Sequence, residues 1–293
     1  MNNLLRGNAL PALAAAVVWG GGDFAGGMGV KSAGGGVRAA LRVVLLSHVA
    51  SFTVLVAIAR LRGDVFPQGA LLGWSIAAGV AGGLALTCFY IALSRGAMGT
   101  SAAVSGLLAA AIPTALTLWQ QGPPGASPLL GFAVAGMAIW LIAAGPASAA
   151  GRETALLAMV AGVGFGFYFV ALKMAGPAGV VWPMATARIG SLTTCSALLL
   201  GTMLRPVKAG EPPVKLGRSA AGWALSTALL DTSGNLLFLA ATRAGRLDVA
   251  AVLASLYPAS TILLAALALG EWPTRRQALG MATAVVAVAL IAM

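Results

Sequence analysis

The chain of 293 residues has little charge, since only 9% of its residues are Asp, Glu, Lys or Arg. A soluble domain carries about 25% charged residues, and 59% of this chain is hydrophobic. So few charges cannot cover the surface of a soluble protein of this length, which excludes that class. Long apolar runs between short polar gaps instead predict a protein that crosses a membrane many times.

Residues that build catalytic or metal centres are also scarce, with two cysteines and one histidine. Cys88 and Cys195 lie inside apolar runs, and no second histidine can join His48. The sequence therefore predicts no disulfide framework, no metal site, no cofactor and no catalytic cluster, which argues against an enzyme. The net charge of +11 comes without a basic patch interleaved with aromatic residues, which argues against nucleic acid as a partner.

Ten apolar runs are long enough to cross a bilayer, which takes about 20 residues each. Short loops with turn-forming residues separate them, and the longest loop, at 205–218, is also the most basic. The predicted spans are about 9–30, 37–59, 70–93, 99–119, 128–146, 153–175, 179–204, 219–241, 248–269 and 275–293.

The two halves of the chain resemble each other. Segment 73–96 aligns with segment 222–245, both beginning with Gly-Trp, and Arg42 in span 2 matches Arg188 in span 7. Because five spans per half is an odd number, the second half enters the membrane inverted relative to the first. The sequence thus predicts an all-α integral membrane protein with ten transmembrane helices, as two inverted five-helix repeats (1–147 and 148–293) around a central cavity.

Five stretches carry a resemblance to a known family: WGGGDF at 19–24, ALR at 40–42, FYIALSRG at 89–96, TAR at 186–188 and SLYPASTILLAALALGEW at 255–272. With them the sequence resembles EamA-type members of the drug/metabolite transporter superfamily, and most of all the exporters of aromatic amino acids among them. The resemblance covers essentially the whole chain. One departure is WQQGPP at 119–124, where the family usually has Gly-Glu.

This resemblance implies a secondary transporter of the bacterial inner membrane that exports small metabolites, above all amino acids including aromatic ones, by alternating access. It implies a small-molecule substrate and the lipid bilayer as partners, with protons as a further candidate. Spans 1, 3, 4, 6, 8 and 9 are expected to line most of the cavity, and spans 5 and 10 to lie outside. Both termini are expected in the cytoplasm, although the distribution of basic residues among the loops predicts the opposite orientation.

Ionisable residues inside spans are costly in hydrocarbon and usually face the bundle interior. At 1.5 Å per residue, Asp23 and Arg42 lie at similar depths in spans 1 and 2, and so do Arg188 and Asp231 in spans 7 and 8. An ion pair is feasible for each couple, with a structural role or a role in substrate contact and gating. An acid would attract a substrate ammonium, and an arginine would attract a carboxylate.

Aromatic and polar side chains inside the predicted repeat core are the candidate substrate contacts. Span 6 carries Phe165, Tyr168 and Phe169 along one face, and buried tyrosine hydroxyls require partners. The mid-span His48 is a candidate for a proton relay as well as for a simple hydrogen-bonding role. The predicted substrate-binding residues are Trp19, Asp23, His48, Phe89, Tyr90, Phe165, Tyr168, Asp231, Asn235 and Tyr257.

Two prolines fall inside predicted helices, Pro113 in span 4 and Pro258 in span 9. Each removes a backbone hydrogen bond and bends its helix, so both are predicted hinges for alternating access. The pattern Gly79-x-x-x-Gly83 predicts close packing between helices in lipid.

Three alternatives stay open at this point. A polyspecific exporter of drugs or cations, or an exporter of sugars or nucleosides, would use the same fold. A sugar-phosphate transporter would need a pair of cations in the cavity, for which Arg42 and Arg188 are the candidates. A membrane enzyme would need a catalytic cluster, which the sequence lacks.

Overall fold

In the computed structural model of the chain, the described residues are 7–95, 98–143, 151–204, 216–270 and 272–292. The predicted basic loop at 205–218 therefore lies mostly outside them. A 3₁₀ turn at Gly176–Ala178 joins the two helices on either side of it. The α-helices are α1 (Ala9–Ser32), α2 (Gly36–Arg62), α3 (Gly69–Ser94), α4 (Met98–Gln121), α5 (Ala126–Ala143), α6 (Arg152–Ala175), α7 (Val181–Met203), α8 (Arg218–Ala244), α9 (Leu247–Ala254), α10 (Pro258–Leu269) and α11 (Arg275–Ala292).

Most of these helices are long and apolar enough to cross a membrane. Among the described residues, eight helical segments meet that condition when α9 and α10 count as one. Helix α7 falls short of it because Arg188 and several Ser and Thr residues lower its mean hydropathy, and α11 is not among the eight. The predicted multi-pass, all-helical architecture is confirmed, and the count of ten spans stays a prediction.

The ninth predicted span is broken in its middle. Helix α9 ends at Ala254, a turn follows, and α10 begins at Pro258. Proline has no N–H to donate and fits the first position of a helix, which explains why the helix restarts there. Pro113 lies inside α4 without ending that helix. The two prolines therefore differ in their local effect, and their roles as hinges stay predictions.

The helices pack in pairs that join the two halves of the chain. Helix α1 packs along α8, α3 along α6, α2 along α7, and α5 along α11. Glycine permits the closest of these approaches, because a Cβ on Gly79 in α3 would collide with the carbonyl of Ala187 in α7. Helices α5 and α11 pack mainly on each other, which places them at the edge of the bundle and leaves the other helices around the centre.

Candidate functional site

A small cavity lies between the two halves, near the middle of the helices. Asp23 is about 21 Å along α1, a helix of about 36 Å at 1.5 Å per residue. The cavity has about 40 Å³ of space for the centres of water-sized spheres. The lining residues are Trp19, Asp23, His48, Gly79, Gly82, Gly83, Leu86, Phe165, Tyr168, Phe169, Ala187, Arg188, Ser191, Asp231, Asn235 and Tyr257.

An ion pair between α7 and α8 forms one side of the cavity. Nη2 of Arg188 donates to Oδ2 of Asp231 at 2.7 Å, so this predicted couple does meet. Arg188 also donates through Nε to Ser51 Oγ and through Nη1 to His48 Nε2, both at 2.9 Å. The Arg188 side chain is only 4% exposed. Its partners therefore compensate a charge that would be very costly if it stood alone in a membrane interior.

His48 is part of this network through both ring nitrogens. Because a guanidinium only donates hydrogen bonds, Nε2 of His48 must accept the bond from Arg188. The proton then sits on Nδ1, which donates to Ser191 Oγ at 2.5 Å. A second proton on Nε2 would face the guanidinium. This arrangement favours a neutral His48 whose role is to position Arg188. It does not favour the predicted alternative, in which His48 relays protons.

Asp23 faces the same cavity but makes no hydrogen bond or ion pair with any described residue. The pair expected between Asp23 and Arg42 does not form, and Arg42 lies half-buried outside the cavity lining. The reason is the phase of α2. His48 faces the cavity, and six residues turn a helix through about 600°, so Arg42 points to a different side. The like charge of Asp231 also acts on Asp23.

Two buried tyrosine hydroxyls lie within electrostatic reach of Asp23 and have no hydrogen-bond partner among the described residues. Tyr257, in the break of the ninth span, lines the cavity and is 4% exposed. The hydroxyl of Ser105 lies beside it but outside hydrogen-bond geometry. Tyr90 was expected in the lining, but it is fully buried outside it because its ring packs on Gly26 of α1.

Aromatic rings form the apolar wall of the cavity. Trp19 stacks parallel to Phe169, with ring centroids 5.3 Å apart, and Phe169 packs on Phe238 at 4.4 Å. Further along α6, Phe165 lines the cavity and packs edge-on against Phe89 at 5.6 Å. Phe89 itself was expected to touch substrate, but it is fully buried and absent from the lining. Neighbouring rings cover it, so it can only support the wall.

Tyr168 and Asn235 link α6 and α8 across the cavity. The Tyr168 hydroxyl donates to Oδ1 of Asn235 at 2.7 Å, and both residues belong to the lining. Tyr168 lies about 10 Å from the end of α6 at Ala175. The link therefore lies toward the face of the bundle where α6 ends and α7 begins.

A wide vestibule opens at that same face, between the α2–α3 and α6–α7 connections. It has about 940 Å³ of space for the centres of water-sized spheres. Arg62, Asp64 and Arg243 lie on its walls. At its rim, Nε1 of Trp182 donates to the backbone oxygen of Asp64 at 2.7 Å, which ties the α2–α3 connection to the start of α7. The wide vestibule and the small cavity thus differ more than twentyfold in this measure of volume.

Comparison with known proteins identifies part of the chain. Residues 152–293 match the EamA-like transporter family. The second half contains an EamA-like transporter domain. The family points to a membrane transporter of small molecules. A solved crystal structure with a TM-score of 0.70 is 17% identical and covers 97% of this chain and 95% of its own, a likeness that shows the fold alone. No curated protein is significantly similar to the chain, so no named relative supports the narrower resemblance to exporters of aromatic amino acids.

The EamA-like half contributes lining that the sequence did not single out. Phe169 was visible on the aromatic face of α6, four residues after Phe165, but it was left out of the predicted site. Ser191 follows Arg188 by one turn of α7, and only the fold shows that it bonds His48. Helices α2 and α7 supply lining residues, whereas no described residue of α4 does, contrary to the expected set of spans. Within the described ranges, no group of three or more His, Cys, Asp or Glu residues could hold a metal ion.

Proposed function

We propose that the protein is a secondary transporter that exports small amphipathic metabolites, amino acids including aromatic ones among them, by alternating access. The observation that carries the proposal is a cavity at mid-membrane depth, lined from both halves of the chain by aromatic rings and buried charges. Secondary transporters hold their substrates at this depth, between repeats and beside broken helices. The EamA-like domain in residues 152–293 points to the same class of protein.

The packing of the helices supports two inverted repeats, 1–147 and 148–293, with ten spans. In that alignment α1 corresponds to α6, and α3 corresponds to α8. The contact between α1 and α8 therefore corresponds to the contact between α6 and α3. Helices α2 and α7 are counterparts of each other and pack together, as do α5 and α11. A pseudo-twofold axis in the membrane plane produces this exchange of partners. The helix pairs that this axis relates form the interface along which one repeat would rock against the other.

The two openings support an alternating-access cycle. The cavity is narrow, whereas the vestibule is wide. Substrate would reach the cavity when the Tyr168–Asn235 bond and the stacked rings of Trp19 and Phe169 separate. With both termini in the cytoplasm of a bacterial cell, the vestibule would open to the cytoplasm, which is the loading side for export through the inner membrane.

Efflux from proteoliposomes tests this function. Vesicles containing the purified full-length protein are loaded with labelled phenylalanine, tyrosine, tryptophan or leucine, or with tyramine, and diluted into buffer. We expect efflux of at least one aromatic compound several times faster than from vesicles without protein. A folded, correctly inserted protein that accelerates the efflux of none of these compounds would contradict the proposal. An imposed pH gradient then decides between proton-coupled and facilitated transport.

An exporter of organic cations is the second candidate, because Asp23 contributes an acid to the cavity without any described partner. A sugar-phosphate transporter is disfavoured, since Arg188 is committed to Asp231 and Arg42 lies outside the cavity lining. Competition between amino acids and organic cations for efflux separates the two leading candidates.

A further inference from the structure

The charges that line the cavity do not balance. Arg188 and Asp231 neutralise each other at 2.7 Å, and His48 is neutral between Arg188 and Ser191. Asp23 is left, with 8% of its surface exposed and no hydrogen bond or ion pair to a described residue. Within the part of the chain that the structure describes, an ionised Asp23 gives the lining one net negative charge.

A lone carboxylate in a membrane interior is expensive, and either a proton or a cation removes the cost. A proton needs no specific surroundings. An ammonium group carries three donors and therefore benefits from several oxygen atoms around it. A second group with an oxygen atom near Asp23 would therefore make the site better suited to an ammonium group than to a proton alone.

Tyr257 supplies such a group. Its hydroxyl has no hydrogen-bond partner among the described residues although the side chain is 96% buried. The residue lines the same cavity as Asp23 and lies within its electrostatic reach. The break between α9 and α10 holds it there, and α10 is tied to α1 by a bond from Ser260 Oγ to the Ala16 carbonyl at 3.0 Å. A buried acid and a hydroxyl without a partner among the described residues thus line the same cavity.

The opposite wall offers little to a carboxylate. Arg188 is the one Lys or Arg among the described lining residues. All three of its nitrogens already donate, to Asp231, His48 and Ser51. A fourth N–H of the five that a guanidinium has points at Thr232 Oγ1 at 3.5 Å. A substrate carboxylate would therefore find one N–H left, beside the like charge of Asp231, and displacing Asp231 would break a buried pair.

We propose that Asp23 and Tyr257 form the subsite for the ammonium group of an amphipathic amine, whose ring lies beside Trp19. This inference rests on the proposed transport function and narrows its substrate class. A carboxylate on the substrate adds nothing to binding. An aromatic amine therefore binds at least as tightly as the corresponding amino acid, from which it differs by lacking the carboxylate.

Four ligands that share one ring test the subsite by their charge. Tyramine is a cation, tyrosine a zwitterion, 2-(4-hydroxyphenyl)ethanol neutral and 3-(4-hydroxyphenyl)propionate an anion. Binding to the full-length protein in nanodiscs is measured calorimetrically. We expect tyramine to bind about 10- to 100-fold more tightly than the neutral alcohol, as a charge-assisted hydrogen bond at a buried site would give. Equal affinities for tyramine and the alcohol, or no binding of tyramine, would overturn the subsite.

Variants then locate the preference. In Asp23→Asn the ratio between tyramine and the alcohol should fall to about one. Glu153→Gln removes an exposed carboxylate outside both the cavity and the vestibule and should leave the ratio intact. In a second matched pair, Tyr257→Phe should weaken tyramine binding severalfold, while Tyr90→Phe, which removes an equally unpartnered hydroxyl outside the lining, should not. An unchanged ratio in Asp23→Asn would overturn the proposal even if Tyr257→Phe had an effect.

The subsite and the transport function fail separately. Efflux of amino acids without any preference for amines would refute the subsite and leave transport standing. Tyramine binding that depends on Asp23, with no efflux of any compound, would refute transport and leave the subsite standing.

Discussion

The two acids of the cavity lie on neighbouring helices and in opposite surroundings. On α8, Asp231 is held by Arg188 at 2.7 Å. On α1, which packs along α8, Asp23 has no hydrogen bond or ion pair to a described residue. Both side chains are largely buried, so burial does not distinguish them. The difference lies in their neighbours, and it separates an acid that completes the structure from an acid that a ligand can neutralise.

The largest effect should come from removing the cation of the satisfied wall. Arg188→Met leaves Asp231 buried without its counterion and strands the acceptors of Ser51 and His48. Breaking a buried pair in this way costs about 3–5 kcal/mol, which denaturant titration in mixed micelles would measure as lost free energy of unfolding. The double variant Arg188→Met with Asp231→Leu should recover more than half of that loss. A single variant as stable as the original protein would show that the network is not structural.

Replacing each acid by asparagine should have a smaller effect on stability, and the effect should differ between the two acids. Asp231→Asn leaves the Arg188 charge without its partner and should lower the free energy of unfolding by about 2–4 kcal/mol. Asp23→Asn removes a buried charge that has no described partner, and should leave the free energy of unfolding unchanged or raise it by up to about 1 kcal/mol. The same titration compares the two variants directly. Equal losses in both would mean that Asp23 also has a structural partner.

The smallest effect should separate two tyrosines in the same way. Tyr168→Phe removes the hydroxyl that bonds Asn235 at 2.7 Å and should cost about 1 kcal/mol. Tyr90→Phe removes a hydroxyl that has no partner in the part of the chain that the structure describes and should be neutral or slightly stabilising. Thermal unfolding in detergent is sensitive enough for this comparison. A larger loss in Tyr90→Phe would mean that its hydroxyl is bonded after all.

Much of the fold was predictable from the sequence. Lipid has no water to bond the backbone N–H and C=O groups, so a long apolar segment satisfies them internally as an α-helix. The sequence predicted a bend at Pro258 because proline constrains its own backbone, and the ninth span breaks just before that residue. Residue depth was also predictable from 1.5 Å per residue, and Arg188 does meet Asp231. The direction of a side chain around its helix was not, because it depends on how the helices pack.

Arg42 and Arg188 illustrate this limit. They occupy matching positions in the two halves of the sequence, yet only Arg188 reaches the cavity. Phe89 and Tyr90 show a different limit. They follow Leu86 by three and four residues, on the lining face of α3, but neighbouring groups cover them, since rings pack on Phe89 and the Tyr90 ring packs on Gly26 of α1. The sequence does not show which neighbour covers a residue on a suitable face.

Efflux of labelled tyramine tests the central claim most directly, with the rate from protein-free vesicles subtracted. Proteoliposomes carry the original protein, Asp23→Asn or Glu153→Gln at equal amounts of folded protein. The account predicts efflux of tyramine that the original protein and Glu153→Gln sustain equally and that Asp23→Asn loses by about tenfold or more. Tyramine efflux as fast in Asp23→Asn as in the original protein would contradict the claim that this carboxylate binds the substrate.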